Sequence, residues 1–435
     1  MKKEFPKLLI ADVNGKTYDV PYLEACGMKA LSFFRLSPED LIPLPPDSEL
    51  FMLPGRMPVG YNSECGEFVV LERNPFFGKK ESCYAVAAFL SPGFTSTYSA
   101  SCVEEKGAKT LPLFSYASVA FYKEKFFATG LRIDKEKRQA LSGMDIDKVR
   151  ENVKLFRKYF PKNRLVRHLE SCALIYGCPA AKNFFLKRYE APLPTSPGCN
   201  AFCMGCLSLQ TGEECSVTQP RIKFVPLPEE IAEVALSHIK SVPDPVVSFG
   251  QGCEGEPLMA GDVIEKAVKI IRKSTQKGMI NLNTNASKPD VVKKLFKAGL
   301  NSIRVSANSV NEKYYSLYYR PRGYGLSDVM RSIKIAKDAG GFVSINYLVM
   351  PGFSDWKIEA DLFRRFIEKT SVDMIQWRNL NYDPVRYFAK LKIKVDPQEM
   401  LGLDEHIESI KKDFPRLMHG YFNPSRGKIR RWERS

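Results

Sequence analysis

Cys199, Cys203 and Cys206 fall in one short stretch, Cys199-Asn-Ala-Phe-Cys203-Met-Gly-Cys206, with three and then two residues between them. Thiolates at this spacing can bind three irons of a four-iron cubane and leave the fourth iron without a protein ligand. That open iron could chelate and reduce a small molecule. Cys215, a few residues on, offers the competing readings, a zinc site or a cluster closed by four cysteines. Zinc knuckles use a second close cysteine pair or neighbouring histidines. Here His168 and His238 both lie about thirty residues away, so the open cubane leads.

A second group of residues follows in order. The apolar run 246–249 leads into Gly250-Gln-Gly-Cys-Glu-Gly255-Glu256-Pro257. Glycine backbone beside a carboxylate can receive an ammonium group closely. The next apolar runs end in Asn283-Thr284-Asn285, in Ser306-Ala-Asn308-Ser309, in a segment carrying Asn346, and in Gln376-Trp377-Arg378-Asn379. Each of these alone reads equally well as a cap or turn residue. Their recurrence at successive strand ends is what a site at the mouth of a barrel requires.

The elements that must position them alternate. Strand patterns at 246–249, 279–283, 303–306, 342–350 and 374–377 are interleaved with helical patterns at 228–239, 263–274, 290–298, 327–339 and 358–369. Ser327 is the expected cap of its helix. This predicts an α/β fold, a parallel sheet with helices outside in a partial (β/α)6-type barrel. Residues 1–140 instead show short strands broken by turn residues and predict a β-rich or α+β domain. Residues 141–190 turn helical, with Asp145 capping Ile146, Val149, Val153 and Phe156 at helical spacing. The expected division is thus 1–140, a connector at 141–190, the barrel at 191–385, and a C-terminal helix and basic tail at 386–435.

The cysteine spacing and the ordered strand ends together resemble the radical S-adenosylmethionine (SAM) superfamily over roughly residues 195–380. The resemblance implies a [4Fe–4S] cluster on Cys199, Cys203 and Cys206, with SAM on the open iron. Gly255, Glu256 and Pro257 would shape the methionine end of SAM. Asn283 stands at the end of the next strand, Ser306 and Asn346 would meet the carboxylate and ribose, and Arg378 and Asn379 the adenine or substrate. A 5′-deoxyadenosyl radical would then abstract hydrogen from a substrate, with reduced ferredoxin or flavodoxin as electron donor. The position before the last cysteine is commonly aromatic in the family, and here it is Gly205.

Other features set bounds. Eleven cysteines and no export signal fit cluster or redox chemistry in a reducing compartment, hence a cytoplasmic protein. No apolar run approaches bilayer length. A net charge of +16 suits an acidic electron donor or RNA, although it reads first as a solvated surface. The unplaced N-terminal domain would suit a peptide or protein substrate. Cys253, at a strand end, is a candidate hydrogen donor aimed at the SAM cavity, and Cys172, Cys178 and Cys215 could bind a second cluster; each also reads as a small buried apolar residue. Tyr314, Tyr315, Tyr318 and Tyr319 form a packed helix face at their spacing. The tail 426–434 reads as disordered and solvated. A non-catalytic zinc or iron–sulfur module remains the alternative class.

Overall fold

The computed structural model describes residues 5–76, 81–210 and 215–434, so the basic start at Lys2 and Lys3 lies outside the described residues. Short antiparallel strands run from Lys7–Ala11 to Leu131–Arg132, and most join one ten-stranded sheet. Lys7–Ala11 is an interior strand, bonded to Thr17–Glu24 on one side and Val119–Tyr122 on the other. With neighbours on both edges, its residues Leu8 to Ala11 are buried.

Three helices follow. Ile146–Tyr159 begins where Asp145 accepts from the amides of Asp147 and Lys148, and it buries Val149, Val153 and Phe156 on one face. Asn163 caps Arg164–Leu174 in the same way. Proline opens Pro179–Phe185, whose Phe184 and Phe185 meet Phe156 edge-on.

The second half is a seven-stranded, wholly parallel sheet. Its order is Glu190–Pro192, Val246–Phe249, Met279–Thr284, Ser302–Ala307, Phe342–Val349, Met374–Asn379 and Met418–Gly420. Val246–Phe249 and Met279–Thr284 are buried at every residue, as strands covered on both faces must be. The sheet curls into a partial barrel. Asn423, just past the seventh strand, reaches Glu190 of the first at 2.7 Å, Asn283 of the third at 3.1 Å and Gln376 of the sixth at 3.1 Å.

Three expectations need correction. The 374–377 strand is followed by a seventh, Met418–Gly420, too short at three residues to show a period. The helix expected to start at Ser327 starts at Leu326. There Asp328 accepts from the amide of Gly325, so the local turn is closed from inside the helix. The tail is a helix, Arg426–Glu433, rather than a disordered, solvated end. Ser425 caps it, Ile429 is buried, and Trp432 meets Phe342 edge-on at 5.9 Å. Two apolar side chains among the arginines were enough to seat it against the barrel. The four tyrosines pack as expected, all buried on Glu312–Tyr319. Among the described residues no helix is long and apolar enough to cross a membrane.

The N-terminal domain lies against the carboxyl ends of the fifth and sixth strands. Thr95 Oγ1 donates to the Trp377 carbonyl at 2.6 Å, and the Ala30 amide donates to the Pro351 carbonyl at 3.2 Å. Arg56 and Asp383, both fully buried, pair at 2.7 Å.

One buried acid gives the fold a pH signature. Glu359 accepts from the Ser309 hydroxyl at 2.6 Å, while its other oxygen has no partner. Burial raises its carboxyl from 4.5 to about 7. The folded chain therefore keeps this proton up to about pH 7, whereas the unfolded chain releases it above about 4.5. Stability from this group is full below the lower value and is lost as pH rises through the upper one, on the order of 3 kcal/mol in all. Urea midpoints measured from pH 5 to 8 are expected to fall, and to fall less steeply in Glu359→Gln. An unchanged slope in that variant would remove Glu359 from the account.

Candidate functional site

The cysteine loop is held at both ends by backbone. The amides of Phe202 and Met204 donate to the carbonyls of Tyr319 and Tyr318 at 2.9 and 3.0 Å, and the amide of Arg322 donates to Asn200 at 2.9 Å. The loop thus zips against the chain that follows the fourth strand. On its other side the amides of Gly255 and Glu256 donate to the carbonyls of Ser196 and Gly198 at 2.7 and 2.9 Å. A Cβ at Gly255 would stand 2.0 Å from the Gly198 oxygen, so only glycine allows this approach. Gly205 has a similar cause. Its missing Cβ would lie 2.8 Å from the Tyr318 hydroxyl and 3.2 Å from the Asn381 carbonyl. Here Tyr318 occupies the space that a side chain at position 205 would need.

The three thiols are neighbours without touching. The Cys203 thiol is pushed well up, first by burial and then by Cys206 and Cys199 beside it. Yet among the described residues only His168, Cys172 and Cys253 bring three donor atoms within 4.8 Å of one another. Tetrahedral zinc with Zn–S near 2.3 Å needs sulfurs only about 3.8 Å apart. The loop is wider than that, which suits sulfurs spread over the corners of a cubane. Cys215 turns elsewhere and donates to the Leu111 carbonyl at 3.6 Å. Arg221, which no motif marks, donates to Cys206 Sγ at 3.6 Å and to Ser208 at 3.2 Å.

The carboxylates near the loop hold backbone. Glu254 is buried and accepts four amides, those of Thr195, Ser196, Gly250 and Gln251, at 2.6 to 2.9 Å. Glu256 accepts from the Thr284 hydroxyl and from the amides of Asn285 and Leu258. Burial still raises both to about 7. Glu256 therefore ties the second strand's end to the third's, and Pro257 opens the short turn Pro257–Ala260 beside it. Asn285 Nδ2 then donates to Asn200 in the cysteine loop at 2.9 Å.

Of the other candidates, Asn283 points into the barrel, donating to the Gly250 carbonyl and accepting from Asn281 and Asn423. Ser306, Asn346 and Gln376 are level with one another across three strands. Asn346 Nδ2 reaches Ser306 Oγ at 3.5 Å, and its buried Oδ1 has no partner. Arg378 donates to the Tyr421 carbonyl at 3.1 Å and lies over the Tyr421 ring. Asn379 is engaged by the N-terminal domain, accepting from Ser96 and donating to Phe94. Arg304 was missed, although an arginine amid Ser302–Ala307 was visible. Its Nη1 donates to Gln376 at 3.3 Å, its Nε lacks a partner, and burial, then the charge of Arg378, lowers it to about 9.

Cys253 needs correction. It is 2% exposed and faces His168 and Cys172 on the connector rather than an open cavity. The chain turns at Glu254, whose four amide bonds fix that side chain inward and leave its neighbour outward. The open surface cavity of about 410 Å³, lined by Met279, Phe342 and the tail helix, lies at the other ends of the strands.

The fold and site define a partial parallel βα barrel with a three-thiol loop at the carboxyl ends of its strands. Residues 193–364 match the model of the radical SAM superfamily. GTP 3′,8-cyclase of Aquifex aeolicus (strain VF5) is 31% identical over 218 residues, 50% of this chain and 62% of the relative. The chain thus spans less than two thirds of that relative's length. Solved structures similar to it include HydG, a maturase of the FeFe-hydrogenase, at 16% identity, 66% of each chain and a TM-score of 0.38. Streptococcus suis SuiB bound to precursor peptide SuiA is 15% identical over 68% of this chain and 66% of its own, with a TM-score of 0.37.

Proposed function

We propose that the protein is a radical SAM enzyme in which Cys199, Cys203 and Cys206 hold a [4Fe–4S] cluster and the glycine-lined strand ends hold SAM. The observation that carries this is the three-thiol loop, too wide for one zinc and bonded on both sides to the strand ends. When bound, the cluster with SAM would supply radical chemistry for taking hydrogen from a substrate. The chain's own part is placement. The amides of Gly255 and Glu256 hold the strip that leads into the loop, and Glu256 fixes the second and third strand ends through Thr284 and Asn285. Ser306 and Asn346 offer polar atoms at mid-lumen, with Asn346 Oδ1 still unpaired.

Arg304 and Arg378, half-buried on the fourth and sixth strands, suit one anionic group on the substrate. Two such residues receive a single carboxylate or phosphate more readily than a polyanionic backbone, which favours a peptide or protein over RNA. The packing of the N-terminal domain on the fifth and sixth strand ends supports a role for it in presenting that substrate. RNA would show retention falling steeply with salt. A reduced ferredoxin or flavodoxin fits the +16 charge as donor.

Anaerobic, iron-reconstituted protein given dithionite and SAM is expected to release 5′-deoxyadenosine slowly, and Cys203→Ala to release none. Equal release from both would overturn the assignment. Arg221 adds a graded test. Its positive charge beside Cys206 favours the reduced cluster, so Arg221→Gln is expected to move the midpoint potential to more negative values. A potential unmoved in redox titration would deny Arg221 that influence.

A further inference from the structure

His168 and Cys172 stand four residues apart on the helix Arg164–Leu174 and so project from one face. Opposite them is Cys253, carried by the loop that follows the second barrel strand. One ligand atom from each lies within 4.8 Å of the other two. Cys172 Sγ and His168 Nε2 are 3.5 Å apart. Both cysteines are 2% exposed, and both are free thiols. Phe224 closes over the histidine ring edge-on at 6.4 Å.

These distances discriminate among possible occupants. Around tetrahedral zinc, Zn–S near 2.3 Å and Zn–N near 2.0 Å place sulfur and nitrogen about 3.5 Å apart and two sulfurs about 3.8 Å apart. The observed 3.5 Å separation meets the first value. A second cubane would need its thiols further apart, as in the loop of Cys199, Cys203 and Cys206. Simple apolar packing explains a buried cysteine. It does not explain a histidine nitrogen directed at one of two thiols already in contact range.

We infer that His168, Cys172 and Cys253 are the ligands of a mononuclear site for a zinc-class divalent cation. Binding would release the thiol protons and leave thiolates as ligands. The site joins two parts of the chain that no covalent link holds, the helical connector and the loop bearing Gly255 and Glu256. Cys253 precedes Gly255 by two residues, so a metal here fixes the backbone on which the proposed SAM site depends. The metal acts as a structural clamp, separate from the iron of the three-thiol loop.

The test uses the full chain with Cys199, Cys203 and Cys206 all changed to alanine, so that iron at that loop cannot contribute. Elemental analysis is expected to find about one zinc per chain in it. Titration with cobalt(II) is expected to give tetrahedral d–d bands with sulfur-to-cobalt charge transfer. Adding Cys172→Ser or Cys253→Ser should abolish both signals. His168→Gln, at a half-buried position the helix tolerates, should weaken cobalt binding by more than about a hundredfold while circular dichroism stays unchanged. Zinc absorption fine structure of the unaltered protein provides a readout that needs no variant, with a shell that contains two sulfurs and one nitrogen expected. Zinc bound only through oxygen and nitrogen, cobalt spectra indifferent to Cys172→Ser, or iron–sulfur absorption from these residues would each overturn the inference.

Discussion

Gly255→Ala is expected to lose most of its cluster iron and at least a hundredfold of its 5′-deoxyadenosine formation while remaining folded. The added Cβ would stand 2.0 Å from the Gly198 oxygen and 3.3 Å from Cys199 Cβ. Neither neighbour is a flexible side-chain tip. Gly198 is backbone within the strip that leads into the cluster loop, and the amides of Gly255 and Glu256 already pin that strip. Relief must come from moving Cys199 away from the strand ends by about an ångström. A displacement of that size in a positioned group costs about a hundredfold in rate. Gly325→Ala is the matched control, since a Cβ there meets nothing closer than 3.7 Å. Normal iron and normal turnover in Gly255→Ala would show that the close approach does not matter.

Asp383→Ala is expected to cost about 3–5 kcal/mol in urea unfolding. Asp383 and Arg56 are both fully buried, and their contact joins the N-terminal domain to the chain just past the sixth strand. Asp383 also accepts from the Leu111 amide at 3.1 Å and caps the helix Pro384–Leu391 through the amides of Val385 and Arg386. Its removal leaves the Arg56 guanidinium buried with Glu104 as its remaining carboxylate partner, at 3.0 Å. The penalty comes mostly from that stranded charge and much less from the lost attraction. Arg56→Met combined with Asp383→Leu should therefore cost less than the single change. A loss under about 1 kcal/mol in Asp383→Ala would mean that solvent or Glu104 already satisfies Arg56.

The sequence disclosed most where chemistry forces a local pattern. Cys199, Cys203 and Cys206 are legible as a group because their spacing keeps three thiols in one loop, and the fold holds that loop against the strand ends. The strands Val246–Phe249 and Met279–Thr284 are legible because burial on both faces makes them continuously apolar. Asp145 is legible as a cap because its helix starts at once. What stayed hidden depends on contacts between distant residues. Glu256 reads as a ligand for an ammonium group, yet Thr284 and Asn285 take its oxygens, and nothing in Gly255-Glu256-Pro257 announces that. Asn379 looks like a substrate contact until Ser96 and Phe94 are seen to engage it. Cys253 shares the barrel's strand-end position but faces the connector, since the adjacent Glu254 claims the inward direction. Arg221 has no motif because its role is set by where its loop returns, beside Cys206. The seventh strand has only three residues, and its existence follows from an edge offered by Met374–Asn379.

The most direct test of the central claim is electron–nuclear double resonance on the reduced cluster with SAM carrying nitrogen-15 at its amino group and oxygen-17 at its carboxylate. If Cys199, Cys203 and Cys206 leave one iron open, both labels should show hyperfine coupling to the cluster, and the coupling should vanish when SAM is omitted. A reduced cluster that shows no coupling to either label at saturating SAM would mean the site is closed, and the account of this loop as a SAM-chelating centre would be wrong.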